Sequence, residues 1–273
     1  MRGTFAAVAT ALTVASCAGS ITGTGSHERP AAPGTTNRPT VATYVPSTPP
    51  RSEPSATRPA TLPTRLLGQE WTRLPTTRRV VALTFDAGSD AAGVPSILAT
   101  LAAERVAATF FLTGNWAQNF PGMARTIAAS FRVGNHSMTH PHFTSLTAVR
   151  MRAEIERASA AIRAVCGVAT EPLFRFPYGD RDARTIRIVN EAGYLPIGWT
   201  VDTLGWEGTR HGGSADAIVA RVVASARPGE IVLMHVGANP DDRSTLDADA
   251  LPRVIAALRD RGYTFVGLDA LLT

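Results

Sequence analysis

From Arg79 onward, short apolar runs rich in β-branched and aromatic residues alternate with stretches in which apolar residues recur every three or four positions. The runs predict strands over 80–86, 108–113, 132–135, 173–176, 195–202, 230–235 and 264–268. After Pro141, the residues Leu146, Met151, Ile155, Ile162 and Val165 fall on one helical face, with Glu154, Glu156 and several arginines on the others. Ser214 has the character of an N-cap for a helix over 215–226 that Pro228 and Gly229 stop, and a last helix over 246–261 ends at Gly262. Strand and helix alternating about seven times imply parallel strands joined by right-handed crossovers. Roughly 195 residues are short for an eight-unit barrel, which typically takes ~250, so the α/β architecture expected is a distorted seven-stranded (β/α) barrel. A doubly wound open sheet is the second arrangement. No glycine-rich phosphate loop follows the first strand, so nucleotide binding is not indicated.

The first 79 residues have a different texture. Met1-Arg2-Gly3, an apolar stretch from Thr4 to Ser16, and then Cys17 follow the plan of a secretory signal. Val14-Ala15-Ser16-Cys17 is also similar to a bacterial lipoprotein signal, in which cleavage exposes a cysteine that becomes lipidated. Nine prolines fall between Pro30 and Pro63 among Thr, Ser, Ala and Gly, with no apolar periodicity. Such a stretch buries no core, and in extended form spans on the order of 100 Å. The expected organisation is a signal over 1–17, a linker over 18–65 and a folded domain over 66–273. Cys166 is then left without a partner and reads as a small apolar residue on a helix. The chain has no run of the ~18–20 apolar residues that a spanning helix needs.

Charge sharpens this division. The formal charge of +5 conceals nine Arg against three Glu before residue 80, and eighteen Arg against nineteen acids after it. A nucleic-acid enzyme would carry its positive charge on the folded part. Here it lies on the lead, which suits an anionic envelope surface. The expected setting is extracytoplasmic: a surface lipoprotein held to the membrane by its N-terminal lipid, with plain secretion as the alternative and a monomer as the simplest state.

In a parallel barrel, chemistry gathers where strands end. Asp86 ends the first predicted strand, His136 and His140 follow the third, and Arg175, Pro177 and Tyr178 end the fourth. Asp202 with nearby Trp206 ends the fifth, and His235 ends the sixth after Ile231-Val232-Leu233-Met234. Each has a bland reading: Asp86 as a turn former, Arg175 as a structural ion-pair partner, Trp206 as cover. Five strand ends with such groups on one rim are harder to explain as solvation. His136 and His140 are four apart, so a helical turn or tight loop would let both imidazoles meet one divalent ion. His142 reads as surface. Asp241, Asp242, Asp247 and Asp249 read as a solvated loop and helix start.

In this order the residues resemble the polysaccharide deacetylase family, the NodB-homology domain of carbohydrate esterase family 4. Five motifs carry the resemblance over about residues 78–273: Thr84-Phe85-Asp86-Ala87-Gly88, His136-Ser137-Met138-Thr139-His140, Arg175-Phe176-Pro177-Tyr178, Asp202 through Trp206, and Leu233-Met234-His235. The resemblance implies hydrolysis of N-acetyl groups on an amino-sugar polysaccharide. It implies Asp86 as general base, Arg175 as its partner, and His136 and His140 as ligands of a divalent metal, zinc foremost. It implies the Tyr178 N–H as an oxyanion donor, Asp202 as the group that orients and charges His235, and His235 as the acid for the leaving amine. Trp206 and Leu233 would line the acetyl pocket.

Ala87 departs from the pattern, because the family has a second acid there that ligates metal. A divalent ion on two neutral imidazoles should bind more weakly. Peptidoglycan is the substrate that the envelope setting favours. Chitin oligomers, a surface polysaccharide and O-acetyl esters stay open, as does a non-catalytic glycan-binding lipoprotein with a degraded metal site.

Overall fold

The computed structural model describes residues 62–272. The signal expected over 1–17, with Cys17, and the expected linker up to residue 61 lie outside the described residues. Within them the order is β1 (Val80–Ala87), α1 (Val94–Glu104), β2 (Ala108–Leu112), α2 (Gly114–Asn119), α3 (Pro121–Ser130), β3 (Arg132–Asn135), α4 (Ala148–Cys166) and β4 (Leu173–Phe174). Then come α5 (Ala183–Glu191), β5 (Leu195–Pro196), β6 (Val201–Asp202), α6 (Ala215–Ser225), β7 (Glu230–His235), α7 (Leu246–Arg259) and β8 (Thr264–Phe265). The strands pair in parallel in the order β5-β4-β3-β2-β1-β7-β6, with β8 beside Val80 and Val81 of β1. This is the curled (β/α) half-barrel that the strand–helix alternation predicts.

Burial on both faces explains why the strands read as continuous apolar runs. Along β1, Val81, Leu83, Phe85 and Ala87 join the larger core with Ile97 and Leu101 of α1 and Leu251, Val254 and Ile255 of α7. The alternate Ala82 faces a second cluster that includes Phe111, Leu173, Leu195 and Ile231. A period of two therefore sends Thr84 and Asp86 to the inner face, where Leu233 and His235 lie in register on β7. Leu62, Leu66, Trp71 and Leu74 cover this inner cluster, and Trp71 bridges to Ile197. Among the described residues no helix is long and apolar enough to cross a membrane.

One predicted strand is divided. The run 195–202 pairs with β4 at its start and with β7 at its end, and residues 197–200 lie between the two ladders. The break has a cause. Arg175 Nε donates to Ile197 O (3.1 Å) and Nη2 to Gly198 O (3.1 Å), so these carbonyls turn toward a buried cation instead of a neighbouring strand. The run spans the two edges of the sheet and closes the half-barrel covalently. The helix expected over 246–261 stops at Arg259, and Ser214 Oγ caps α6 by accepting from Ala217 N. Cys166 is half-buried at the end of α4.

The inner face leaves little spare room beneath Arg175. A Cβ on Gly134 of β3 would lie 2.6 Å from the Phe111 ring and 3.1 Å from Leu173 O. The guanidinium of Arg175 sits 4.3 Å over that same ring. Gly134→Val should destabilise the protein by about 1–3 kcal/mol through overpacking. Urea denaturation of the full chain checks it: an unchanged midpoint would show that Phe111 can move aside.

Candidate active site

Asp86 is carried to the end of β1 by an apolar strand and is itself only 7% exposed. Its Oδ1 accepts from Arg175 Nη1 at 2.8 Å, and Oδ2 lies 3.4 Å from His136 Nε2. Arg175 is fully buried. Each of its three nitrogens donates once, to Asp86 or to one of two backbone carbonyls, and the Phe111 face covers the guanidinium. Burial drives the Asp86 carboxyl up, but Arg175 first and then His136 and His235 outweigh it, so the group sits below its ordinary range and is ionised at neutral pH. Losing one partner of such a pair strands a buried charge, at a cost of about 3–5 kcal/mol.

The two histidines occupy a tight loop, not a helical turn. Asn135 Oδ1 accepts from Ser137 N (2.9 Å), and Ser137 Oγ accepts from His140 N (3.0 Å). Ser137 (φ 68°) and His140 (φ 61°) both adopt the left-handed region. Glu154, which the sequence places off the apolar face of α4, accepts from Met138 N (3.0 Å), Thr139 N (2.8 Å) and Thr139 Oγ1 (3.0 Å). This net brings His136 Nε2 and His140 Nε2 to 3.1 Å. His136 Nδ1 faces Arg175 O at 2.9 Å, and a carbonyl only accepts, so Nδ1 carries the proton and Nε2 presents its lone pair. Burial lowers His136, and burial followed by the His136 charge lowers His140 from 6.5 to about 4. Both are neutral ligands at neutral pH. Two converging imidazoles beside a carboxylate fit a divalent cation in donor chemistry. Ala87 is fully buried in the core and offers no donor. Among the described residues no three His, Cys, Asp or Glu side chains form a complete metal cage.

The β7 side of the site carries the remaining groups. His235 ends β7 in register with Asp86. Its Nδ1 is buried without a hydrogen bond, and it stands 3.6 Å from Oδ2 of Asp247 on α7. Burial lowers the His235 imidazole, but Asp247, then Asp86 and Asp202, outweigh it and raise the group above its ordinary value. Asp202 makes no hydrogen bond to His235. Its Oδ1 accepts from Leu204 N (2.9 Å), which shapes the following turn, and burial raises its carboxyl. The sequence places Asp247 at a solvated helix start, yet it is 3% exposed. Periodicity gives no sign of this, because it depends on the start of α7 meeting the turn at Thr203–Gly205 and the end of β7.

Tyr178 lies on the turn after Arg175 in the left-handed region (φ 58°), and among the described residues its N–H meets no acceptor. Its ring packs edge-on to His140 (4.5 Å between centroids) and stacks on His142 (4.1 Å). Arg181 Nη1 donates to Gly179 O (2.8 Å) while Arg181 pairs with the buried Glu70 (2.7 Å), so the lead segment steadies this turn. Trp206 is 49% exposed on the rim, and Leu233 is buried on β7. The structure thus gathers Asp86, Arg175, His136, His140 and His235 into one cluster. Tyr178 lies beside it, and Asp202 acts on His235 through charge alone.

The family model described as polysaccharide deacetylase matches residues 73–197. A chitooligosaccharide deacetylase of Sinorhizobium fredii is 38% identical over 191 residues, covering 67% of this chain and 87% of that protein. A peptidoglycan-N-acetylglucosamine deacetylase of Bacillus cereus is 33% identical, covering 72% of this chain and 70% of its own length. Among solved structures, BA3943 of Bacillus anthracis, described as a CE4 family pseudoenzyme, superposes with a TM-score of 0.69 at 29% identity, covering 76% of this chain and 70% of that one.

The depressed His140 carries a pH signature. The unfolded chain takes up a proton near 6.5, whereas folded His140 takes one only near 4. The stability tied to this group is therefore whole above about pH 6.5 and falls as the pH drops toward 4. His140→Gln should lose less thermal stability than wild type between about pH 7 and pH 5. Equal losses would place the acid sensitivity elsewhere.

Proposed function

The chain belongs to the polysaccharide deacetylase family, and we propose that it hydrolyses N-acetyl groups on the amino sugars of a cell-wall polysaccharide, peptidoglycan foremost. The observation that carries this reading is the buried Asp86–Arg175 pair set against two neutral imidazoles, with His235 on the adjacent strand. Amide hydrolysis needs a base for water, a stabiliser for the oxyanion and an acid for the amine. Asp86 is ionised and can take a proton from water. Arg175 fixes its direction through Oδ1 and leaves Oδ2 for that task. The Tyr178 N–H, without an acceptor of its own, is available to the tetrahedral oxyanion, a role that contributes ~3–4 kcal/mol for a single donor elsewhere. His235, raised by its carboxylate neighbours, holds the proton that the leaving amine needs. Asp202 adds charge to this histidine, and Trp206 with Leu233 bounds the space for the acetyl methyl.

His136 and His140 would hold a divalent ion, zinc foremost; when bound, that ion polarises water and the acetyl carbonyl. Ala87 withholds the anionic ligand, so affinity is weak. The relatives' names support both peptidoglycan and chitooligosaccharide as substrate classes. An envelope location favours the first: the signal-like start and Cys17 point to a lipid-anchored protein outside the cytoplasm, with the domain acting as a tethered monomer. O-acetyl esters are within the same chemistry.

The full chain, stripped with chelator, should release acetate from peptidoglycan fragments, and added zinc or cobalt should raise the rate. Asp86→Asn, which keeps an oxygen for Arg175, should lower turnover by about 10²–10⁴. Full activity in that variant would remove Asp86 from the reaction. Release from neither peptidoglycan, chitooligosaccharides nor acetylated xylan would leave a glycan-binding protein. Ala87→Asp should tighten zinc at least ~10-fold in a competition titration, since it restores an anionic ligand. Submicromolar affinity in wild type, unimproved by the change, would contradict the weak-site reading.

A further inference from the structure

The carboxylate that His235 meets comes from a helix, not from a strand end. Asp247 lies in the first turn of α7 and is almost fully buried. Its Oδ1 accepts from Thr203 Oγ1 at 2.6 Å. Its Oδ2 accepts from the His235 backbone N–H at 2.8 Å and stands 3.6 Å from Nδ1 of the same residue. Thr203 and the His235 backbone thus fix both oxygens beside a buried ring nitrogen that has no hydrogen bond.

This placement depends on a missing side chain. A Cβ on Gly205 would lie 2.5 Å from Asp247 Cγ and Oδ1, and 2.7 Å from Oδ2. Gly205 is not among the glycines of positive φ, so its backbone conformation does not call for glycine. What the position provides is space. Asp202, the carboxylate that the family resemblance assigns to His235, spends Oδ1 on Leu204 N instead.

We infer that Asp247, admitted by the empty side-chain position of Gly205, is the positioning residue for His235: it holds the imidazole through Nδ1 and leaves Nε2 to protonate the departing amine. The inference rests on His235 being the acid. In that step the C–N bond of the tetrahedral intermediate breaks, its electron pair stays on nitrogen, and nitrogen takes the Nε2 proton. Acetate and the free amine are the products.

Two substrates separate this role from a structural one. An N-acetylated chitooligosaccharide has a leaving amine that must be protonated, whereas 4-nitrophenyl acetate has a leaving group that departs as an anion. In the full chain, His235→Ala should lower amide turnover at least ~10-fold more than ester turnover, as removal of a general acid requires. Asp247→Ala and the near-isosteric Asp247→Asn should reproduce that selective loss, in kcat with little change in KM. Gly205→Asp placed in the Asp247→Ala background puts a carboxylate into the vacated space and should restore much of the amide rate. Equal loss of both substrates in His235→Ala would overturn His235 as the acid, and this inference with it. A selective loss in His235→Ala that neither Asp247 variant shares would overturn Asp247 alone. Should Asp247→Ala fail to fold, Asp247→Asn decides, since it keeps an acceptor for Thr203 and puts an uncharged amide nitrogen in place of the oxygen that faces the His235 N–H and Nδ1.

Discussion

The buried pair of Asp86 and Arg175 organises the inner face. A fully buried guanidinium must have its donors met. One goes to Asp86, and two go to the carbonyls of Ile197 and Gly198. The same contacts therefore hold Asp86 in place and break the 195–202 run where the half-barrel closes. The carbonyl of Arg175 itself accepts from His136 Nδ1, which turns the lone pair of Nε2 toward the site. One residue thus links the direction of the Asp86 carboxylate, the tautomer of an imidazole and the closure of the sheet.

Around this pair the site separates into two electrical environments. On one side, burial keeps His136 neutral, and burial followed by the His136 neighbour keeps His140 neutral. On the other, three carboxylates outweigh burial and raise His235. Identical side chains thus differ across one site: two are held neutral and one holds its proton more readily, and the distinction comes from their surroundings. The absence of an acid at Ala87 touches the first environment only. Asp86 and His235 keep their own partners, Arg175 and the neighbouring carboxylates, whatever stands at position 87.

Much of the support is invisible along the chain. The tight loop of His136 to His140 depends on Glu154 from a helix that looks ordinarily amphipathic. The turn that presents the Tyr178 N–H is braced by Glu70 through Arg181. These contacts join residues far apart in sequence, and no local spacing encodes them.

Local pattern alone specifies the apolar runs, their alternation with helices, and the strand ends at Asp86, His136, Arg175 and His235, because strand period and burial are written residue by residue. The alanine at position 87, where the family resemblance expects an acid, is equally plain in the chain. The division of the 195–202 run is not, because the carbonyls of Ile197 and Gly198 answer a cation that another strand end delivers. Packing alone turns Asp247 from a helix start that reads as solvated into a buried neighbour of His235, since that depends on α7 meeting a turn where Gly205 leaves room. Side-chain identity is written in the chain, but a carboxylate's partner is set by which backbone approaches it in space.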